Sequence, residues 1–170
     1  MSSSAPSRPE IAKAKRTFHV VASRFNAQYV DGLVDHATEE LRKLAPNATI
    51  FLHRVPGAFE IPVVVRELAA QNKADAVIAC GVILQGETNH AQNLSRSVTD
   101  ALQRIAVEQA VPVINVVLCF DNEDQARVRC LEDRIWLSSN PHSLFNEYWL
   151  EIRCSWIVGK DGPQLKHRGS

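Results

Sequence analysis

The sequence predicts an α/β fold with one parallel sheet covered by helices on both faces, and three observations carry that reading. Four short β-rich runs recur along the chain. Segments with the 3.6-residue periodicity of amphipathic helices lie between them. The runs themselves read as near-continuous Val/Ile stretches, the pattern of strands buried on two sides, whereas strict alternation would mark a sheet with one wet face.

The first run, "TFHVVA" (17–22), is followed by "NAQYVDGLVDHATEELRKL". There Val30, Leu33, Val34, Ala37, Leu41 and Leu44 recur at i, i+3, i+4, i+7, with charges opposite, so a helix should lie on the sheet. The second run, "TIFLHRV" (49–55), leads into "AFEIPVVVRELAAQ", whose Pro62 suits a first helical turn. The third, "ADAVIACGVIL" (74–84), precedes a stripe of Ala91, Leu94, Val98, Leu102 and Ile105, again at helical spacing. The fourth is "VPVINVVLCF" (111–120).

Bulk properties narrow the function. A chain of 170 residues is long enough for one domain that buries roughly 70% of its unfolded surface. Nineteen basic and nineteen acidic side chains cancel, so charge implies neither a nucleic-acid partner nor another long polyanion. No apolar run approaches the roughly 18 residues that span a bilayer, and the basic, serine-rich start lacks the apolar block of a secretory signal. Cys80, Cys119, Cys130 and Cys154 show no C-x-x-C spacing, and the two in or beside apolar runs read as small hydrophobes. A cytoplasmic, reducing location is expected. Residues 1–126 hold nineteen alanines, whereas 127–170 hold none and contain Trp136, Trp149 and Trp156. The expected division is a solvated tail over 1–15, one domain over 16–131 and a divergent segment over 132–170.

In open parallel sheets, ligands collect at the carboxyl ends of the strands. Polar loops follow each run there: "SRFN", "VPGAFE", "LQGETNH" and "FDNEDQ", and the four should converge on one edge. "GETNH" has two readings. Thr88 or Asn89 caps a helix and His90 is a solvated first-turn residue; or the main-chain N–H groups and the Thr88 hydroxyl hold an oxyanion while His90 moves protons. In "VPGAFEIP", Gly57 permits a sharp turn and close approach to a ligand. Phe59 offers an aromatic surface, and Glu60 either accepts hydrogen bonds from ligand hydroxyls or favours a helix start.

Taken together and in order, "SRFN" (23–26), "RVPGAFEIP" (54–62), "GVILQGETNH" (81–90) and "VPVINVVLCFDNEDQARVR" (111–129) resemble the 6,7-dimethyl-8-ribityllumazine synthases over roughly residues 15–131. The resemblance implies a flavodoxin-like three-layer sandwich with a four-stranded parallel sheet. It also implies an active site shared between neighbouring subunits of a homo-oligomer, a pentamer or pentamer-based shell. The implied reaction condenses 5-amino-6-(D-ribitylamino)uracil with 3,4-dihydroxy-2-butanone 4-phosphate through an imine, loss of phosphate and ring closure. Small molecules are the implied partners, and no cofactor or metal is implied. By matching position, Phe25 would stack on the pyrimidine. Ala58, Phe59 and Glu60 would hold the ribityl chain, and Val82, Ile83 and Leu84 would present main-chain edges to the uracil. Glu87 and Thr88 fall on the phosphate loop, His90 is the implied proton donor and acceptor, and Arg129 the phosphate-binding arginine of the adjacent subunit. Alone, Arg129 reads equally as a solvated helix arginine.

Three departures stand against that pattern. Gln85 occupies a position often basic in the family, and Asn115 one that usually carries an aromatic side chain into the neighbour's pyrimidine slot, where it would hydrogen-bond instead. After Arg129 the chain lacks the family's glycine- and lysine-containing loop and alanine-rich terminal helix, and Leu137 or a close neighbour stands where a second phosphate-site lysine is expected. The end of the resemblance reads as a shifted frame or spliced alternative terminus, or as a genuine divergent tail that builds a new interface. An alternative function follows: a catalytically impaired flavin- or lumazine-binding or shell-forming homologue. A plain flavodoxin-like redox module fits less well, because "SRFN" lacks a hydroxyl- and glycine-rich phosphate cradle.

Overall fold

The computed structural model describes residues 15–71 and 73–132. The tail expected over 1–15 and the divergent segment expected over 132–170 lie almost wholly outside them, Leu137 and all three tryptophans included.

Four strands form one parallel sheet: β1 (Thr17–Ser23), β2 (Thr49–Val55), β3 (Ala76–Leu84) and β4 (Val113–Phe120), in the order β2-β1-β3-β4. Parallel neighbours need crossovers, and the helices supply them. These are α1 (Ala27–Leu44), α2 (Ile61–Ala70), which follows a 3-10 turn at Ala58–Glu60, and α3 (His90–Gln109). A short α4 (Glu123–Arg127) runs into a π-helical turn at Val128–Glu132. The sheet with helices on both faces is the flavodoxin-like three-layer sandwich.

Which strands are central follows from burial. β1 and β3 are buried almost throughout, as their Val/Ile composition requires. β2 differs from the uniform expectation: Phe51 and Leu52 are about half exposed, because β2 is an edge strand that the helices cover only in part. On one face of the sheet, α1 packs Val30, Leu33, Val34 and Leu41 against Phe18, Val20, Ile78 and Cys80, with Ala126 and Cys130 completing the cluster. On the other, Ile61 and Val65 of α2 and Val98, Leu102 and Ile105 of α3 meet Val21, Val77, Ala79 and Val117. Burial of each such side chain is worth about 1.5–3 kcal/mol. The described residues of the expected helix stripes are buried apart from Leu94 of α3, which is only partly so.

Gly32 of α1 faces the π-helical turn so closely that a Cβ there would press on the Cys130 carbonyl oxygen and lie 2.9 Å from Leu131 Cδ2. At the β1–β2 border, His19 is buried, its ring stacks between Phe51 and His53, and its Nδ1 lies 2.9 Å from His53 Nε2.

Candidate active site

The carboxyl ends of β1, β2 and β3 open into a groove of about 610 Å³. Its lining comes from the first three of the four loops: Phe25 and Asn26 after β1, Gly57–Glu60 after β2, and Val82–Gly86, Thr88 and His90 at the end of β3 and start of α3. The fourth loop shares the edge, since Gln85 N–H donates to the Phe120 carbonyl at 2.8 Å. It nevertheless opens into a separate hollow of about 370 Å³ lined by Phe120, Asp124, Gln125, Val128 and Arg129. Three loops, not four, therefore form the groove within one chain; the fourth leads into α4, which Asn122 Oδ1 caps by accepting from Gln125 N–H at 2.9 Å.

Two aromatic rings mark the groove. Phe25 is 71% exposed and Phe59 66%, a large apolar area for a folded chain to leave in water unless something covers it. Ala58 is buried in the wall beside Phe59. Glu60 Oε2 accepts the Gly57 N–H at 2.8 Å, so the helix-start role holds. Gly57 itself corrects the sharp-turn reading: its φ of −141° and ψ of −178° are extended backbone open to any residue. What its hydrogen secures is space, since a Cβ would sit 3.1 Å from the Glu60 carboxylate.

The strand end supplies the polar edge. Val82 and Ile83 are buried and Leu84 partly so, so the side chains belong to the core and the main chain is what the groove meets. One main-chain acceptor is already engaged: Asn26 Nδ2 donates to the Val82 carbonyl at 2.9 Å. Asn26 adopts the left-handed conformation at φ 57° and ψ 41°, which asparagine tolerates better than most residues. That turn carries the chain from Phe25 into α1.

His90 is the first residue of α3, exposed and on the groove. Asn89 stands at the cap without a side-chain cap bond. The Thr88 hydroxyl lies 3.4 Å from the His90 N–H, a long contact. Thr88 lines the groove; Glu87 is exposed and does not. Gln85 turns its side-chain amide back onto the loop, donating to the carbonyls of Gly86 at 3.1 Å and Thr88 at 2.9 Å.

Two expected residues lie elsewhere in the chain. Arg129 is in the π-helical turn, on the second hollow. Asn115, in the first half of β4, is exposed and spends its amide locally, donating to Thr99 Oγ1 at 3.1 Å and accepting from Val117 N–H at 2.9 Å. One amide hydrogen and one lone pair of its oxygen are left over from those bonds. Cys80, one strand turn below the groove, is fully buried, and burial pushes its thiol up to about 12, so it is no nucleophile. Cys119 is exposed, not packed as its apolar run suggests. Among the described residues no cluster of His, Cys, Asp and Glu could hold a metal ion, and no helix is long and apolar enough to cross a membrane.

An aromatic slot, a main-chain edge and a histidine at a helix start are thus held within one groove. Residues 15–138 match the family model described as 6,7-dimethyl-8-ribityllumazine synthase. The chain belongs to that family. Among its relatives, the 6,7-dimethyl-8-ribityllumazine synthase of Azoarcus sp. is 38% identical over 114 residues, which cover 66% of this chain and 73% of the relative. Those of Paraburkholderia phymatum and Nitrosomonas europaea are each 40% identical over 114 residues, covering 66% of this chain and 66% and 70% of theirs. The match to a lumazine synthase model reaches Arg134 to Asn140 only in part, ending at residue 138.

Sequence reasoning gave no site role to four residues that line the groove, Asn26, Gly86, Ala91 and Leu94. Asn26 was visible within "SRFN", but its bond to Val82 joins positions 56 apart, which no local pattern reveals. Leu94 belongs to the stripe of α3, and only its position beside Ala91 under the loop makes it part of the groove floor.

Proposed function

We propose that this chain catalyses the condensation of 5-amino-6-(D-ribitylamino)uracil with 3,4-dihydroxy-2-butanone 4-phosphate, a transferase reaction of riboflavin biosynthesis, in the groove at the ends of β1, β2 and β3. The observation that carries the reading is that His90 shares one groove with Phe25, Phe59 and the Val82–Leu84 strand end.

Phe25 stacks on the pyrimidine, and the main chain of Val82, Ile83 and Leu84 reads its polar edge. Ala58, Phe59 and Glu60 hold the ribityl chain; Glu60 keeps one carboxylate oxygen for ligand hydroxyls while the other accepts from Gly57. The amine attacks the ketone carbonyl and water leaves to form the imine; phosphate is then eliminated, and the ribitylamino nitrogen closes the ring on the remaining carbonyl with loss of a second water. Each of these steps moves a proton, and the His90 imidazole, whose ring nitrogens can both donate and accept one, is the groove side chain that carries it. Glu87 contributes its main chain to the phosphate loop, since its side chain is off the groove wall.

Arg129 completes the phosphate site from a neighbouring subunit of a pentamer or pentamer-based shell, where its planar fork suits a bidentate grip on phosphate. Its own hollow is distinct from its own groove, which supports a partner's site as its target. Asn115 faces the same interface without stacking. The protein works in the cytoplasm on small molecules, and the folded domain spans 16–131.

Mixing tests the shared site. His90→Ala and Arg129→Ala chains, each inactive alone, are dissociated, mixed equally and reassembled; random neighbours should rebuild about a quarter of the sites. Absence of recovery would show that His90 and Arg129 do not serve one site from two subunits.

A further inference from the structure

Gln85 has no place in the chemistry above, yet its side chain is spent entirely inside the groove's third loop. Its main chain is pinned first, by the N–H bond to Phe120 that extends the β3–β4 pairing one residue past the strand. From that anchor the amide nitrogen doubles back to the carbonyls of Gly86 and Thr88. Two donors of one planar group thus hold two carbonyls of the loop, whose other side-chain contact among the described residues is the long one between the His90 N–H and the Thr88 hydroxyl.

The peptide unit makes this matter. In a trans peptide the N–H points opposite to the C=O, so fixing the carbonyls of residues 86 and 88 turns the N–H groups of Glu87 and Asn89 away from Gln85. Neither N–H donates to a protein acceptor among the described residues. Left free to rotate, the carbonyls would present their negative ends to an oxyanion. Held by the amide, they cannot.

We propose that Gln85 is a positioning residue for the phosphate-bearing substrate: its amide locks the Gly86–Thr88 loop so that main-chain N–H donors receive the phosphate. This inference rests on the proposed condensation and its phosphate loop.

The test uses the full-length chain and its Gln85→Met variant, which keeps the length of the side chain and removes its donors. Loss of two ordinary amide-to-carbonyl hydrogen bonds corresponds to about a thirtyfold change. KM for 3,4-dihydroxy-2-butanone 4-phosphate should therefore rise by about that factor, KM for the pyrimidine should stay constant, and Gln85→Lys, which restores a donor, should recover most of the loss. In parallel, inorganic phosphate is titrated into both proteins by calorimetry, a readout that needs no turnover; its affinity should fall by a similar factor in Gln85→Met. Equal KM values for both substrates in both proteins, or a loss confined to kcat, would overturn the role. If the parent chain binds phosphate but makes no product, the proposed condensation fails while the calorimetric comparison still decides on Gln85. If the parent chain binds no phosphate, the loop is not an anion site and the inference falls.

Discussion

Replacing Gly32 with alanine sets two effects of opposite sign against each other. In an ordinary helix interior the change stabilises by about 1 kcal/mol, because glycine has the poorer helix propensity. Here the added Cβ would press on the Cys130 carbonyl oxygen, lie 2.9 Å from Leu131 Cδ2 and 3.1 Å from the Cys130 carbonyl carbon. Two of these are backbone atoms of the π-helical turn, which cannot swing aside as a side-chain tip can. Overpacking of this kind costs about 1–3 kcal/mol, so a net loss of up to about 2 kcal/mol is expected. Cys130 is fully buried and belongs to the core under α1, so the turn must shift as a unit and take its neighbour Arg129 with it. Urea unfolding of the Gly32→Ala chain should show a lower midpoint at unchanged slope. The proposed role of Arg129 adds a second expectation, a raised KM for the phosphate substrate. A midpoint that rises, as in an unconstrained helix, would refute the close-packing argument.

Three further outcomes are expected. His90→Ala should lower kcat by about 10²–10⁴-fold, the usual worth of a general acid–base group, with its melting temperature unchanged because the ring is exposed; steady-state kinetics beside a thermal melt check both. Asn26→Gly keeps the left-handed turn and removes the amide held at Val82, costing about 1 kcal/mol, whereas Asn26→Ala should cost about 1–2 kcal/mol more through the turn itself; paired denaturation curves separate the two. His19 has its pKa lowered first by burial and then by His53. A lowered folded pKa means that the unfolded chain binds the extra proton, so stability is full above the ordinary value of 6.5 and falls as the pH drops below it. Unfolding midpoints between pH 5 and 8 should show that slope reduced in His19→Phe, relative to the parent chain, at about these pH values.

The fold was legible in the sequence because its signals are local. Val30, Leu33, Val34 and Leu41 declare one helix face, and the continuous run Val77–Val82 declares a strand buried on both sides. The loops of the groove were legible for the same reason, since the rule that ligands gather at carboxyl strand ends needs only the strand boundaries. What stayed hidden depends on distance in sequence. β2 reads like its neighbours, and its edge position is a matter of strand order. The diversion of the fourth loop into its own hollow, the Asn26–Val82 bond and the local use of the Asn115 amide all join residues through the fold. Gln85 shows the reverse case. Its partners are one and three residues away, yet the family resemblance marks it only as a missing charge.

The central claim is that this groove makes the lumazine. A steady-state assay of the full-length chain with both substrates, following lumazine absorbance and inorganic phosphate together, tests it most directly. The account predicts product and phosphate in equal amounts. Tight binding of the ribitylamino-pyrimidine with neither product nor phosphate would contradict it, and would leave a binding pocket where an active site is proposed.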